Sequence, residues 1–109
     1  MVEALRKLDK ALGADFQIEV RLDDNSTPVS LSLGALAEEL AQRMIRMFLP
    51  DANKRRPIYG DEPHFQHHPH WQQYLLFHEY FHAETGQGLG ASHQTWTNLV
   101  AALIDEWCR

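Results

Sequence analysis

Four prolines between positions 50 and 69 (Pro50, Pro57, Pro63 and Pro69) limit what this chain can build. Each fixes its own φ, lacks a backbone N–H, and pushes the residue before it away from helical geometry. No long helix or central strand can cross that stretch. It reads as a loop of about 20 residues without a hydrophobic period, a length that is uncommon in a compact domain and often shapes a site. Regular structure must lie on either side of it.

On the N-terminal side the periods are clear. Val2, Leu5, Leu8 and Leu12 have helical spacing, and Gly13 is a natural stop. Phe16, Ile18, Val20 and Leu22 alternate with polar residues, as do Val29, Leu31 and Leu33 after the turn formers at 23–28. A hairpin is expected there. Ser32 is placed to cap a helix from about Leu33 to Leu49, ended by Pro50. That helix carries two apolar stripes. One is Leu36, Leu40, Met44 and Met47, and the other is Ala37, Ala41, Ile45 and Phe48. A face this wide predicts burial on more than one side.

On the C-terminal side a helix is expected from about His70 to Glu84, stopped by Gly86, and a last helix from about Thr95 to Trp107. Gly86, Gly88 and Gly90 form a glycine-spaced loop between them. It follows an expected helix rather than a strand, so a dinucleotide fingerprint is rejected. Its plain meaning is backbone passing close to something.

Charge and composition exclude some functions. With 10 Lys+Arg against 15 Asp+Glu the net charge is -5. The broad positive field that phosphate backbones require is missing, so no nucleic-acid partner is expected. No apolar run approaches the roughly 18 residues of a membrane span, so no membrane partner is expected. The N-terminal segment has no apolar signal core, and Cys108 stands alone. An intrachain disulfide is therefore impossible, and the expected compartment is the cytoplasm.

The composition is unusual in its seven histidines, which run from His64 to His93. Two of them fall in His78-Glu79-Tyr80-Phe81-His82, the H-E-x-x-H spacing. On a helix His78 and His82 would share a face and could both reach Zn²⁺, with Glu79 as general base and Glu106 as a third ligand. Partly buried, hydrogen-bonded histidines are the more ordinary reading. His64, His67, His68 and His70 read as a solvated polar loop. Glu79 also lies among Trp71, Tyr74, Phe77, Phe81 and Trp96. A carboxylate beside aromatic rings suits sugar chemistry, because ring faces stack on pyranose while the carboxylate activates water.

Residues 76–100 carry a resemblance. An aromatic-rich His-Glu-Tyr-Phe-His segment is followed by Thr85-Gly86-Gln87-Gly88-Leu89-Gly90, then Ala91-Ser92-His93-Gln94-Thr95-Trp96-Thr97. Together they resemble the C-terminal signature of glycoside hydrolase family 63 and related glucosidases, of the mannosyl-oligosaccharide glucosidase and mannosylglycerate hydrolase type. Arg55-Arg56-Pro57-Ile58-Tyr59-Gly60 and the helix with Glu38-Glu39-Leu40 resemble the segments that precede it. The resemblance implies a mainly α fold, with residues 1–109 forming the C-terminal helices of an (α/α)6 barrel and a short β-hairpin excursion. It implies an inverting mechanism on an α-linked glucoside or related glycan, without metal or other cofactor.

In that reading Glu79 matches the general base, and His82, Gln94 and Trp96 match sugar-pocket positions. His78 falls where the family has an aromatic residue, so it reads as a substitution rather than half of a metal pair. The family's glycine before Trp96 is absent, which predicts a shifted indole. The general acid comes from a segment upstream of this one. The chain alone is therefore expected to be inactive, completed by the missing N-terminal segment. The alternatives are a small zinc hydrolase using His78, His82 and Glu106, and a non-catalytic module that buries the wide face of 33–49 in a homo-oligomer.

Overall fold

The computed structural model describes residues 1–108. They fold as four α-helices and two small two-stranded antiparallel sheets, in two compact units divided between Gln42 and Arg43. No helix among the described residues is long and apolar enough to cross a membrane.

The first unit begins with helix α1, Val2–Leu12. It stops at Gly13, whose φ of 85° only glycine adopts easily and whose N–H bonds Asp9 O at 2.8 Å. Strands β1, Gln17–Val20, and β2, Val29–Ser32, pair antiparallel, with Ile18 opposite Leu31 and Val20 opposite Val29. The turn between them closes on Asp23, which exchanges backbone and side-chain bonds with Asn25 and Ser26. Helix α2, Leu33–Phe48, follows at once. Ser32 caps it as expected, accepting the Ala35 N–H at 3.1 Å. A second cap comes from α1, where Asp9 Oδ1 accepts the Gly34 N–H at 2.8 Å. Two of the orphan donors at the helix start are thus satisfied. Of the two apolar stripes on α2, Ala37, Ala41, Ile45 and Phe48 are buried, and Leu36, Leu40, Met44 and Met47 are half-buried.

The second unit is built on a core of Phe48, Ile58, Tyr59 and Val100. Phe77 and Phe81 pack their rings against Phe48 at 5.9 and 5.7 Å. Each buried large apolar side chain of this kind contributes about 1.5–3 kcal/mol. The proline-rich stretch is ordered around one buried polar side chain. Gln66, in the short helix α3 (Pro63–His67), accepts the Arg56 N–H and donates to the Arg56 and Gly60 carbonyls, each at 2.9 Å. The Arg56 guanidinium reaches back to the Phe48 carbonyl at the end of α2. Tyr59 donates its hydroxyl to the Tyr74 carbonyl, and burial pushes the phenol pKa up, which keeps it a donor.

Two expectations fail here. The stretch from His70 to Glu84 is not a helix. A single 3₁₀ turn at Trp71–Gln73 gives way to extended chain and to strand β3, Tyr80–Phe81, paired with β4, Gly88–Leu89. Phe77 also bridges His93 in parallel. Aromatic side chains favour strands, and the glycine-rich 86–90 segment offers backbone without side-chain obstruction. Non-local pairing therefore wins over the 3.6-residue period. The mainly α, barrel-helix architecture falls with it, because the signature region 76–100 is largely extended chain and turns and the fold is mixed α and β. The last helix, α4, is Val100–Trp107, entered through a 3₁₀ turn at Thr97–Leu99.

Candidate carbohydrate site

Glu79 sits at a bend just before β3, not on a helix. Its backbone is held on both sides. The Glu79 N–H donates to Ala91 O at 2.8 Å, and the Glu79 carbonyl accepts the Trp96 indole Nε1–H at 3.0 Å. The carboxylate is held too, through Oε2, which accepts the Ala91 N–H at 3.3 Å.

Glycine makes this approach possible. Gly90 has φ of +72°, and a Cβ there would lie 2.7 Å from Tyr80 Cε1 and 2.8 Å from Glu79 Oε2. At Gly88 a Cβ would stand 2.2 Å from His78 Cδ2, and at Gly86 it would stand 3.1 Å from Met47 Cγ. The close backbone approach expected of this loop is therefore real at all three glycines.

Two large aromatic rings stay in solvent beside Glu79: Tyr80 is 56% and Trp96 57% exposed. An exposed ring is usually an incidental surface residue, but here the indole is fixed by its N–H to the residue that carries the carboxylate. The ring face is left open while the polar edge is satisfied.

The other expected site residues are distributed around this point. Gln94 is half-buried, and its N–H donates to Phe77 O at 2.8 Å, two residues before Glu79. His82 ties the β3–β4 turn. Its N–H donates to Gln87 O at 2.8 Å, and its Nδ1 accepts the Glu84 and Thr85 N–H groups at 3.3 and 3.4 Å. Sequence reasoning missed Tyr80 as a platform, Ala91 as the amide that holds the carboxylate, and Thr97. The buried Thr97 hydroxyl donates to the His78 carbonyl. Thr97 lies next to Trp96 inside the quoted signature, which is the one sequence signal that could have found it.

The zinc arrangement does not form. His78 and His82 lie on either side of β3 instead of one turn apart on a helix. His82 is committed to its turn. The His78 ring lies over Gly88, with a buried Nδ1 that has no hydrogen-bond partner. Burial lowers the His78 pKa, the Gly90 backbone opposes that shift, and the neighbouring His93 adds to it. Glu106 lies on α4. Among the described residues no group of three or more His, Cys, Asp or Glu side chains could hold a metal ion. His64, His68 and His70 are exposed, as expected of a polar loop, yet they are ordered by ring contacts with Trp71 and with one another.

Two clefts of this unit lie elsewhere. One of 320 Å³ is bordered by Asp51, Arg55, Asp61 and Thr85, and one of 210 Å³ by Lys54, Tyr59 and Gln72. Glu79 and Trp96 stand instead on an open surface.

The chain is similar to the uncharacterized protein YMR196W of Saccharomyces cerevisiae. The two are 43% identical over 109 residues, which is 97% of this chain and 10% of the yeast protein. The chain thus spans about a tenth of the length of the curated relative it matches. No protein-family model matches it, and no solved structure matches it.

Proposed function

We propose that this chain contributes one wall of the sugar site of an inverting glycoside hydrolase acting on an α-linked glucoside or related glycan. Glu79 is the general base. Its Oε1 activates a water on the face of the sugar opposite the leaving group. Trp96 and Tyr80 are the stacking platforms, and His82 and Gln94 line the edge. The observation that carries this reading is the pairing of an exposed, backbone-fixed carboxylate with an exposed indole anchored to the same residue.

An inverting hydrolase also needs an acid carboxyl about 6.5–9.5 Å from the base. In this reading the acid comes from another part of a longer protein. The open surface around Glu79 supports that, as does the tenfold greater length of the yeast relative. Maltose titrated into the 109-residue chain should perturb the Tyr80 and Trp96 resonances, with no turnover of a chromogenic α-glucoside. Silence at both rings would sink the reading. Turnover by the chain alone, abolished in Glu79→Gln, would overturn the need for an outside acid.

A second reading, a non-catalytic assembly module, draws on the first unit. On α2 the stripe Ala37, Ala41, Ile45 and Phe48 is at most 1% exposed, and the stripe Leu36, Leu40, Met44 and Met47 is half-buried. Leu8 and Leu12 on α1, with Phe16 after it, are 50%, 51% and 44% exposed. They are the apolar surface that a second copy would cover. A monomer by sedimentation at high concentration would argue against it.

A further inference from the structure

We propose that Thr97 is a positioning residue for Glu79, setting where the carboxylate stands by holding the peptide immediately before it. This inference rests on the carbohydrate reading of Glu79.

Two consecutive carbonyls, those of His78 and Glu79, are held by the side chains of two consecutive residues. Thr97 Oγ1 donates to His78 O, and Trp96 Nε1 donates to Glu79 O at 3.0 Å. On the other side Ala91 both accepts the Glu79 N–H and donates to Glu79 Oε2. The peptide that carries the base is therefore clamped between residues 91 and 96–97.

The two sides of the clamp differ in stiffness. Ala91 sits in exposed irregular chain beside Gly90, and Trp96 is more than half exposed. Thr97 is only 9% exposed, one of two buried polar residues among those described. It opens the 3₁₀ turn Thr97–Leu99, and Val100, directly after that turn, belongs to the core with Phe48 and Ile58. Of the clamp's members, Thr97 is the one that ties the Glu79 segment to the packed core. A hydrogen bond from a buried hydroxyl fixes both partners, because leaving either unsatisfied in the interior is costly. The β-branched side chain also restricts χ1 and so holds the hydroxyl in place.

The geometry also divides the work on Glu79. Ala91 donates to Oε2, and the role of meeting water is assigned to Oε1. Loss of the Thr97 bond lets the His78–Glu79 peptide rotate. That moves Oε1 and also weakens the seat of the Trp96 indole.

The test compares Thr97→Val, which keeps the shape and removes the hydroxyl, with Thr97→Ser, which keeps the hydroxyl and removes the methyl. Amide hydrogen exchange is measured at Glu79 and at His82, whose N–H belongs to the neighbouring hairpin. Thr97→Val should raise Glu79 exchange relative to His82 by about 10-fold, shift the Trp96 indole N–H resonance and weaken maltose binding by about 10-fold. Thr97→Ser should return all three to within about 2-fold of wild type.

Equal acceleration at Glu79 and His82 in Thr97→Val would mean plain destabilisation and would overturn the inference. So would an unchanged Trp96 resonance. If Thr97→Val does not fold, Thr97→Ser decides alone, since raised Glu79 exchange there would assign the role to the methyl group. A wild-type chain that ignores maltose defeats the carbohydrate reading, while the exchange and indole measurements on the ligand-free protein still judge Thr97.

Discussion

The Trp96 indole N–H donates to the Glu79 backbone carbonyl at 3.0 Å. The ring most available for stacking is thereby tied to the residue with the candidate catalytic carboxylate, although 17 positions separate them in sequence.

Trp96→Phe keeps an aromatic face and removes the donor. Because the bond is exposed, the cost to stability should be small, about 0.5–1 kcal/mol in urea denaturation. Maltose affinity should fall more in Trp96→Ala than in Trp96→Phe, since the alanine loses the platform as well. Equal affinities of the two variants would show that the ring face is not a contact.

Gln66 is the polar centre of the proline-rich stretch. Gln66→Leu fits the volume but strands the Arg56 N–H and the Arg56 carbonyl, and it leaves the Gly60 carbonyl with its Arg55 guanidinium partner. A loss of about 2–3 kcal/mol is expected from chemical denaturation. Gln66→Glu should also destabilise the fold, because it sets a carboxylate oxygen against two carbonyls. A neutral Gln66→Leu would mean that those backbone groups find water.

Gly90→Ala should cost more than Gly13→Ala. Both glycines have positive φ, +72° and +85°, and Gly13, with ψ of 161°, lies where almost only glycine goes, so both substitutions carry backbone strain of about 1–3 kcal/mol. Nothing lies within 4 Å of a Cβ at Gly13, whereas at Gly90 it meets Tyr80 and the Glu79 carboxylate. The excess in thermal unfolding reports that crowding. A shifted Glu79 carboxyl resonance in Gly90→Ala alone would locate it.

The pH dependence follows from His78. Burial lowers its pKa in the folded chain, while in the unfolded chain it titrates near 6.5. Between those two values the unfolded state binds the extra proton, so stability is complete above about pH 6.5 and declines as the pH falls through the folded pKa. His78→Phe keeps a ring over Gly88 and removes the proton site. Its denaturation midpoint should fall less steeply than the wild type's below pH 6.5, and identical slopes would show that His78 does not carry the effect.

Much of the N-terminal half was legible because its signals are local. The periods of α1, β1, β2 and α2, the Gly13 stop, the Ser32 cap and the break at Pro50 each depend on residues within a turn or two of one another. The second cap on α2 was hidden, because Asp9 lies 25 residues before Gly34.

The C-terminal half shows where local reading stops. Trp71, Tyr74, Phe77 and Phe81 satisfy a helical period, but Phe77 and Phe81 are both drawn to Phe48 and the backbone between them pairs with residues 87–94. Sequence alone therefore determined that the glycine loop lets backbone approach closely, and it drew attention to Glu79 and Trp96 as a pair. Tertiary structure decided that Glu79 stands at a bend just before β3, that His78 and His82 part company, and that Gln66 and Thr97 hold the loops. Those outcomes rest on hydrogen bonds to distant backbone groups, from other backbone groups and from the Gln66 and Thr97 side chains, and such partners are set only when the chain packs.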